Sequence, residues 1–81
     1  MKATVQFFSQ LRDLAGVEKI DLNLPDNTRI SDLLGNLYAQ FPALRQHDNS
    51  ILVGAGVEFV DRNYEIKSGD EISIMPPVQG G

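Results

Sequence analysis

Thr28-Arg29-Ile30-Ser31-Asp32-Leu33-Leu34-Gly35-Asn36-Leu37-Tyr38-Ala39-Gln40-Phe41-Pro42 is the stretch whose reading decides the fold. Ile30, Leu33, Leu34, Leu37, Tyr38 and Phe41 fall at i, i+3, i+4, i+7, i+8 and i+11, one continuous apolar stripe on a helix. Thr28 is the expected N-cap, and Asp32 suits the positive end of the helix dipole. Pro42 predicts an end near Gln40 or Phe41, because proline disfavours the helical conformation in the residue before it. Gly35 costs about 1 kcal/mol relative to alanine. The stripe outweighs it, since burying each large apolar side chain contributes roughly 1.5–3 kcal/mol. A helix with a single apolar stripe needs one sheet face to cover it.

The flanking segments supply that sheet. Residues 3–8 alternate, with Ala3, Val5 and Phe7 on one face and Thr4, Gln6 and Phe8 on the other. Ser9 is placed to cap a short turn through Leu11, Leu14 and Ala15, and Gly16 to end it. Residues 18–24 alternate again, with Ile20, Leu22 and Leu24 inward, so the two strands form a hairpin. After the helix, residues 43–50 read as a polar loop or a single turn. Ile51 to Ala55 reads as a strand that Val57 to Val60 continues beyond a kink at Gly54 and Gly56. Asn63 to Ile66 reads as a short edge segment, Ser68-Gly69-Asp70 as a turn, and Glu71 to Met75 as the last strand, with Ile72 and Ile74 facing the core. The expectation is an α+β domain, a mixed sheet of about four to five strands packed on one main helix.

Eighty-one residues make one small domain, expected to span 1–81 with 76–81 as an extended tail. A hydrophobic fraction of 42% argues against wholesale disorder. No apolar run approaches the roughly 18 residues that cross a membrane, and the first residues lack a signal-peptide core, so a cytoplasmic location is expected. The absence of cysteine removes disulfides, thiolate nucleophiles and cysteine metal sites. A net charge of −4 with seven scattered basic residues argues against nucleic acid and suits a basic protein partner.

No catalytic constellation emerges from the body. His47 is the only histidine and reads as a solvated loop residue without a partner for metal or triad chemistry. Gly54-Ala55-Gly56 is too short for a dinucleotide fingerprint. Asp61 with Glu65, and Asp70 with Glu71, read as solvated charges near turns. Two features remain. Phe8 and Met75 belong to the face opposite the core, where Phe59 can join them as an interface centre; the alternative is a second small core beneath a loop. Met75-Pro76-Pro77-Val78-Gln79-Gly80-Gly81 reads as an arm: the prolines stop the strand, and glycine presents no Cβ to a narrow tunnel. From Val78 onward it reaches roughly 13 Å when extended, at about 3.3 Å per residue.

Gln6-Phe7-Phe8-Ser9-Gln10-Leu11-Arg12-Asp13-Leu14-Ala15-Gly16 and Gly69-Asp70-Glu71-Ile72-Ser73-Ile74-Met75-Pro76-Pro77-Val78-Gln79-Gly80-Gly81 resemble the small subunits of molybdopterin synthases, MoaD-like sulfur carriers with the ubiquitin-like β-grasp fold. The resemblance covers essentially the whole chain, with Gly56 where the family usually has asparagine. It implies a non-catalytic subunit of a heteromeric enzyme, which binds no cofactor or metal and is not an enzyme alone. An activating enzyme would use ATP and Mg²⁺ to adenylate Gly81, and a persulfide donor would convert it to a thiocarboxylate. That group would give sulfur to cyclic pyranopterin monophosphate inside a large subunit, in a heterotetramer, building the dithiolene of the molybdenum cofactor. Pro76, Pro77, Val78, Gln79 and Gly80 would be the inserted tail. Phe8, Arg12, Phe59 and Met75 match family positions that contact the large subunit or the activating enzyme. Two alternatives stand beside this: a carrier serving thiamin thiazole, cysteine or another sulfur metabolite, and a ubiquitin-like protein modifier.

Overall fold

The computed structural model describes residues 1–77, and the elements follow the alternation and the stripe closely. They are β1 (Lys2–Phe7), α1 (Gln10–Ala15), β2 (Lys19–Asn23), α2 (Ile30–Gln40), a 3-10 segment (Pro42–Ser50), β3 (Leu52–Ala55), β4 (Glu58–Val60) and β5 (Glu71–Met75). The five strands lie in the order β2-β1-β5-β3-β4. β1 and β5 are parallel, and every other neighbouring pair is antiparallel. This is the mixed β-grasp sheet that the resemblance implies.

One face of the sheet carries the core. Ala3, Val5 and Phe7 from β1, Val53 from β3, and Ile72 and Ile74 from β5 join Ile30, Leu33, Leu34 and Leu37 of α2 in a single buried cluster. The Phe7 ring meets Phe41 edge-on at 5.6 Å between centroids, a favoured aromatic geometry. Among the described residues, no helix is long and apolar enough to cross a membrane.

Several local expectations change. Arg29, not Thr28, occupies the N-cap of α2. Its backbone N–H donates to Asp32 Oδ2 at 3.1 Å, while the Thr28 hydroxyl turns back and donates to Pro25 O at 2.6 Å. Ser9 precedes α1, but its side chain makes no capping bond; its carbonyl accepts from Arg12 N–H instead. Residues 43–50 are helical rather than a loop, because Leu44 inserts fully into the core and needs the chain wound beneath it. The chain reverses at Gly56-Val57, so that Ala55 pairs with Glu58 and β4 runs back along β3 rather than continuing it. Gly56 has φ 63°, at the first central position of a two-residue hairpin, where a II′-type turn demands glycine. Residues 63–66 form no strand; a lone bridge between Arg29 and Glu65 is their sheet-like contact.

Candidate functional site

The sheet face opposite α2 carries three of the four candidate partner residues. Along β3 the pleat turns Val53 to the core and Gly54 outward, and Gly54 stands opposite Phe59 on one side and Ser73 on the other. Phe59 is 72% exposed, which rules out the second small core as its home. Met75 pairs with Leu52 and is half-buried. Phe59 and Met75 line one shallow apolar hollow of about 180 Å³, floored by Gly54 and rimmed by Val57 and Glu58. A Cβ on Gly54 would stand 3.4 Å from both Met75 Cε and the Glu58 carbonyl oxygen, so the glycine is what lets the floor lie low.

Phe8 follows β1, and its N–H donates to Ile74 O at 3.1 Å, which places it beside the end of β5. It is half-buried, less wet than the alternation alone suggests, and does not line the hollow. Arg12 lies exposed on α1, away from that hollow. The structure thus unites Phe59 with Met75, sets Phe8 alongside, and leaves Arg12 separate.

The root of the arm is described as far as Pro77. Pro76 is half-buried and Pro77 exposed, directly after β5. Val78, Gln79, Gly80 and Gly81 lie outside the described residues. His47 differs from its reading as a solvated loop residue. It is half-buried in the 3-10 segment and shares a hollow with Pro76 and Pro77.

One polar cluster was not anticipated. Tyr38 donates to Asp48, and Arg62 Nη1 donates to the same Asp48 Oδ1 at 2.8 Å. The Arg45 guanidinium lies over the Tyr38 ring, 5.3 Å from its centre. Burial first, and then the Asp48 carboxylate, push the Tyr38 hydroxyl up to about 12. The hydrogen bonds from Tyr38 and Arg62 lower the Asp48 carboxyl. Asp70 is likewise engaged rather than solvated, accepting from Tyr64 OH at 2.8 Å and Lys67 N–H at 2.9 Å. Among the described residues, no group of His, Cys, Asp and Glu could hold a metal ion.

Comparison with known proteins follows the same lines. The sequence matches the ThiS family over residues 5–81. It is 32% identical over 83 aligned positions to the molybdopterin synthase sulfur carrier subunit of Chlamydomonas reinhardtii, covering 100% of both chains. Among solved structures, it resembles a putative molybdopterin converting factor subunit 1 from Pyrococcus furiosus, with TM-score 0.88, 26% identity and 96% and 99% coverage. It also resembles small archaeal modifier protein 1 from Methanosarcina acetivorans, with TM-score 0.81, 26% identity and 99% and 96% coverage.

Proposed function

Because the chain belongs to the ThiS family, we propose that it is the sulfur carrier subunit of a molybdopterin synthase. The observation that carries this reading is the extent of the family match. It includes Gly80 and Gly81, and the body that presents them has the MoaD-like β-grasp architecture. The cytoplasm is the proposed setting.

Physical chemistry explains the division of labour. A carboxylate is a poor electrophile, ionised at neutral pH because its ordinary pKa is near 3.3–3.7. In the proposed sequence an activating enzyme joins the Gly81 carboxylate to AMP from ATP, releasing pyrophosphate. A persulfide sulfur displaces AMP, and reductive cleavage of the S–S bond by a thiol leaves the thiocarboxylate. The glycines then enter the active site of a large subunit, where the sulfur passes to cyclic pyranopterin monophosphate. Phe8, Phe59 and Met75 form the grip for that subunit or the activating enzyme, and Arg12 adds a peripheral charge. Aromatic and methionine side chains around a low floor suit the centre of such an interface.

A second reading, covalent protein modification, draws on the likeness to the archaeal modifier. Intact mass spectrometry after incubation with an activating enzyme, ATP and a sulfur donor separates the two. Exchange of one oxygen for sulfur supports the carrier, whereas attachment to lysines of other proteins supports the modifier. Unchanged molybdopterin formation by a chain lacking Gly81, in a reconstituted assay, would overturn the leading reading.

A further inference from the structure

The arm leaves the body beside a notch that the proposed sulfur chemistry does not explain. α1 brings Gln10 and Leu11 to one side, and the 3-10 segment brings His47 and Ser50 to the other, with Ile51 beneath. Pro76 and Pro77 line the same space, about 140 Å³. Leu11 is 1% exposed and Ile51 7%, so the bottom of the notch is part of the rigid core. His47 is half-buried, has no metal-binding company among the described residues, and is not part of the polar cluster around Asp48.

Two consecutive prolines make a contact at this point unusually effective. Each ring holds its own φ near −65°, and each proline drives the preceding residue toward extended backbone. Met75 is tied into the sheet by its pairing with Leu52. The freedom left at the root is therefore small, and a wall against the prolines sets the direction in which the chain leaves the sheet over Pro76 and Pro77 themselves, roughly 6–7 Å. A flexible root with no wall would have to be ordered afresh at each insertion into a partner.

We propose that this notch is the seat of the arm root, and that His47, flanked by Gln10 and Ser50, is a positioning residue. It holds the two prolines in place, and so fixes how the root of the arm leaves the body as a partner engages it. This rests on the carrier reading for its functional consequence, though not for the seat itself. It also gives the 3-10 segment a role beyond burying Leu44, since the same winding that inserts Leu44 presents His47 to the arm.

The test has a structural arm and a kinetic arm, both on the full chain. Proton NMR is expected to show nuclear Overhauser contacts between the His47 ring and the Pro76 or Pro77 ring protons. In the kinetic arm, the His47→Ala variant is assayed for adenylation of the chain by its activating enzyme. A roughly 2- to 10-fold rise in KM is expected with kcat within about twofold, because added ordering of the arm burdens binding and not chemistry. The His47→Gln variant, which keeps a side chain of similar reach, is expected to stay within about twofold of wild type. Retention of the wild-type melting midpoint by His47→Ala separates positioning from folding. Absence of the ring contacts overturns the seat, and an unchanged KM for a folded His47→Ala chain overturns the positioning role. Failure of the wild-type chain to be adenylated at all overturns instead the carrier reading, leaving the NMR result to decide the seat.

Discussion

Gly54 and Phe59 stand opposite each other in the β3–β4 ladder, one offering bare backbone and the other an aromatic residue that is 72% exposed. The pair gives the outer face its relief: a floor without a Cβ and an aromatic wall, with Met75 closing the third side. If this relief is the grip for a large subunit, Phe59→Ala should weaken that complex by about 2 kcal/mol, close to 30-fold. Stability of the isolated chain should change by no more than about 0.5 kcal/mol, since the ring is already wet. Isothermal titration against the large subunit, beside a urea melt, checks both halves.

Gly35 lies exposed within α2, and a Cβ there would meet nothing within 4 Å. Gly35→Ala should therefore stabilise the fold by about 1 kcal/mol. In a domain of this size that raises the thermal midpoint by roughly 4–8 °C. Calorimetry at neutral pH measures it directly.

Tyr38 and Asp48 give stability opposite pH signatures. The folded chain holds the Tyr38 proton up to about 12, whereas the unfolded chain releases it near 10.0. Its contribution is complete below pH 10 and should be lost between about pH 10 and 12. The folded Asp48 carboxyl sits below its ordinary 3.8, so its contribution is complete above that value and lost as acid protonates it. Tyr38→Phe should cost about 0.5–1.5 kcal/mol at pH 7 and flatten the alkaline limb of the stability curve. Denaturant melts across pH 3–12 follow both limbs.

Leu44 is fully buried although every residue after it in the 3-10 segment is polar. Leu44→Ala should destabilise the domain by roughly 2–5 kcal/mol. Because the segment also carries His47, the same substitution should loosen the wall behind Pro76. Loss of the His47–proline ring contacts at a temperature where the variant remains folded reads that coupling.

The main helix, the first hairpin and the last strand were legible because each has one buried face, and burial of one face writes its period into the sequence. Ile30 through Tyr38 keep the helical spacing, and Ala3, Val5 and Phe7 keep the strand alternation. The β3–β4 reversal was hidden for the same reason in reverse. Val57 is fully exposed at the turn yet apolar, so it extends the hydrophobic run where the chain changes direction. Helix caps misled in two ways: the Thr28 hydroxyl donates to Pro25 instead, and the Ser9 side chain makes no capping bond. The Tyr38–Asp48–Arg62 cluster draws on three separate segments, and no local spacing announces it. Of the candidate site, the residue types were readable, but their grouping into a hollow required the register of β3 between β4 and β5.

That register has a last consequence for how the arm is held. β5 is paired on both flanks, with β1 on one side and β3 on the other, while β2 and β4 take the sheet edges. An edge strand can fray alone, but a strand with two neighbours opens only when the assembly comes apart. The amides of Ile72 and Ile74 should thus be among the slowest to exchange with deuterium. The arm is moored to the part of the molecule least able to let go, so a pull on it by a partner is borne by the whole fold.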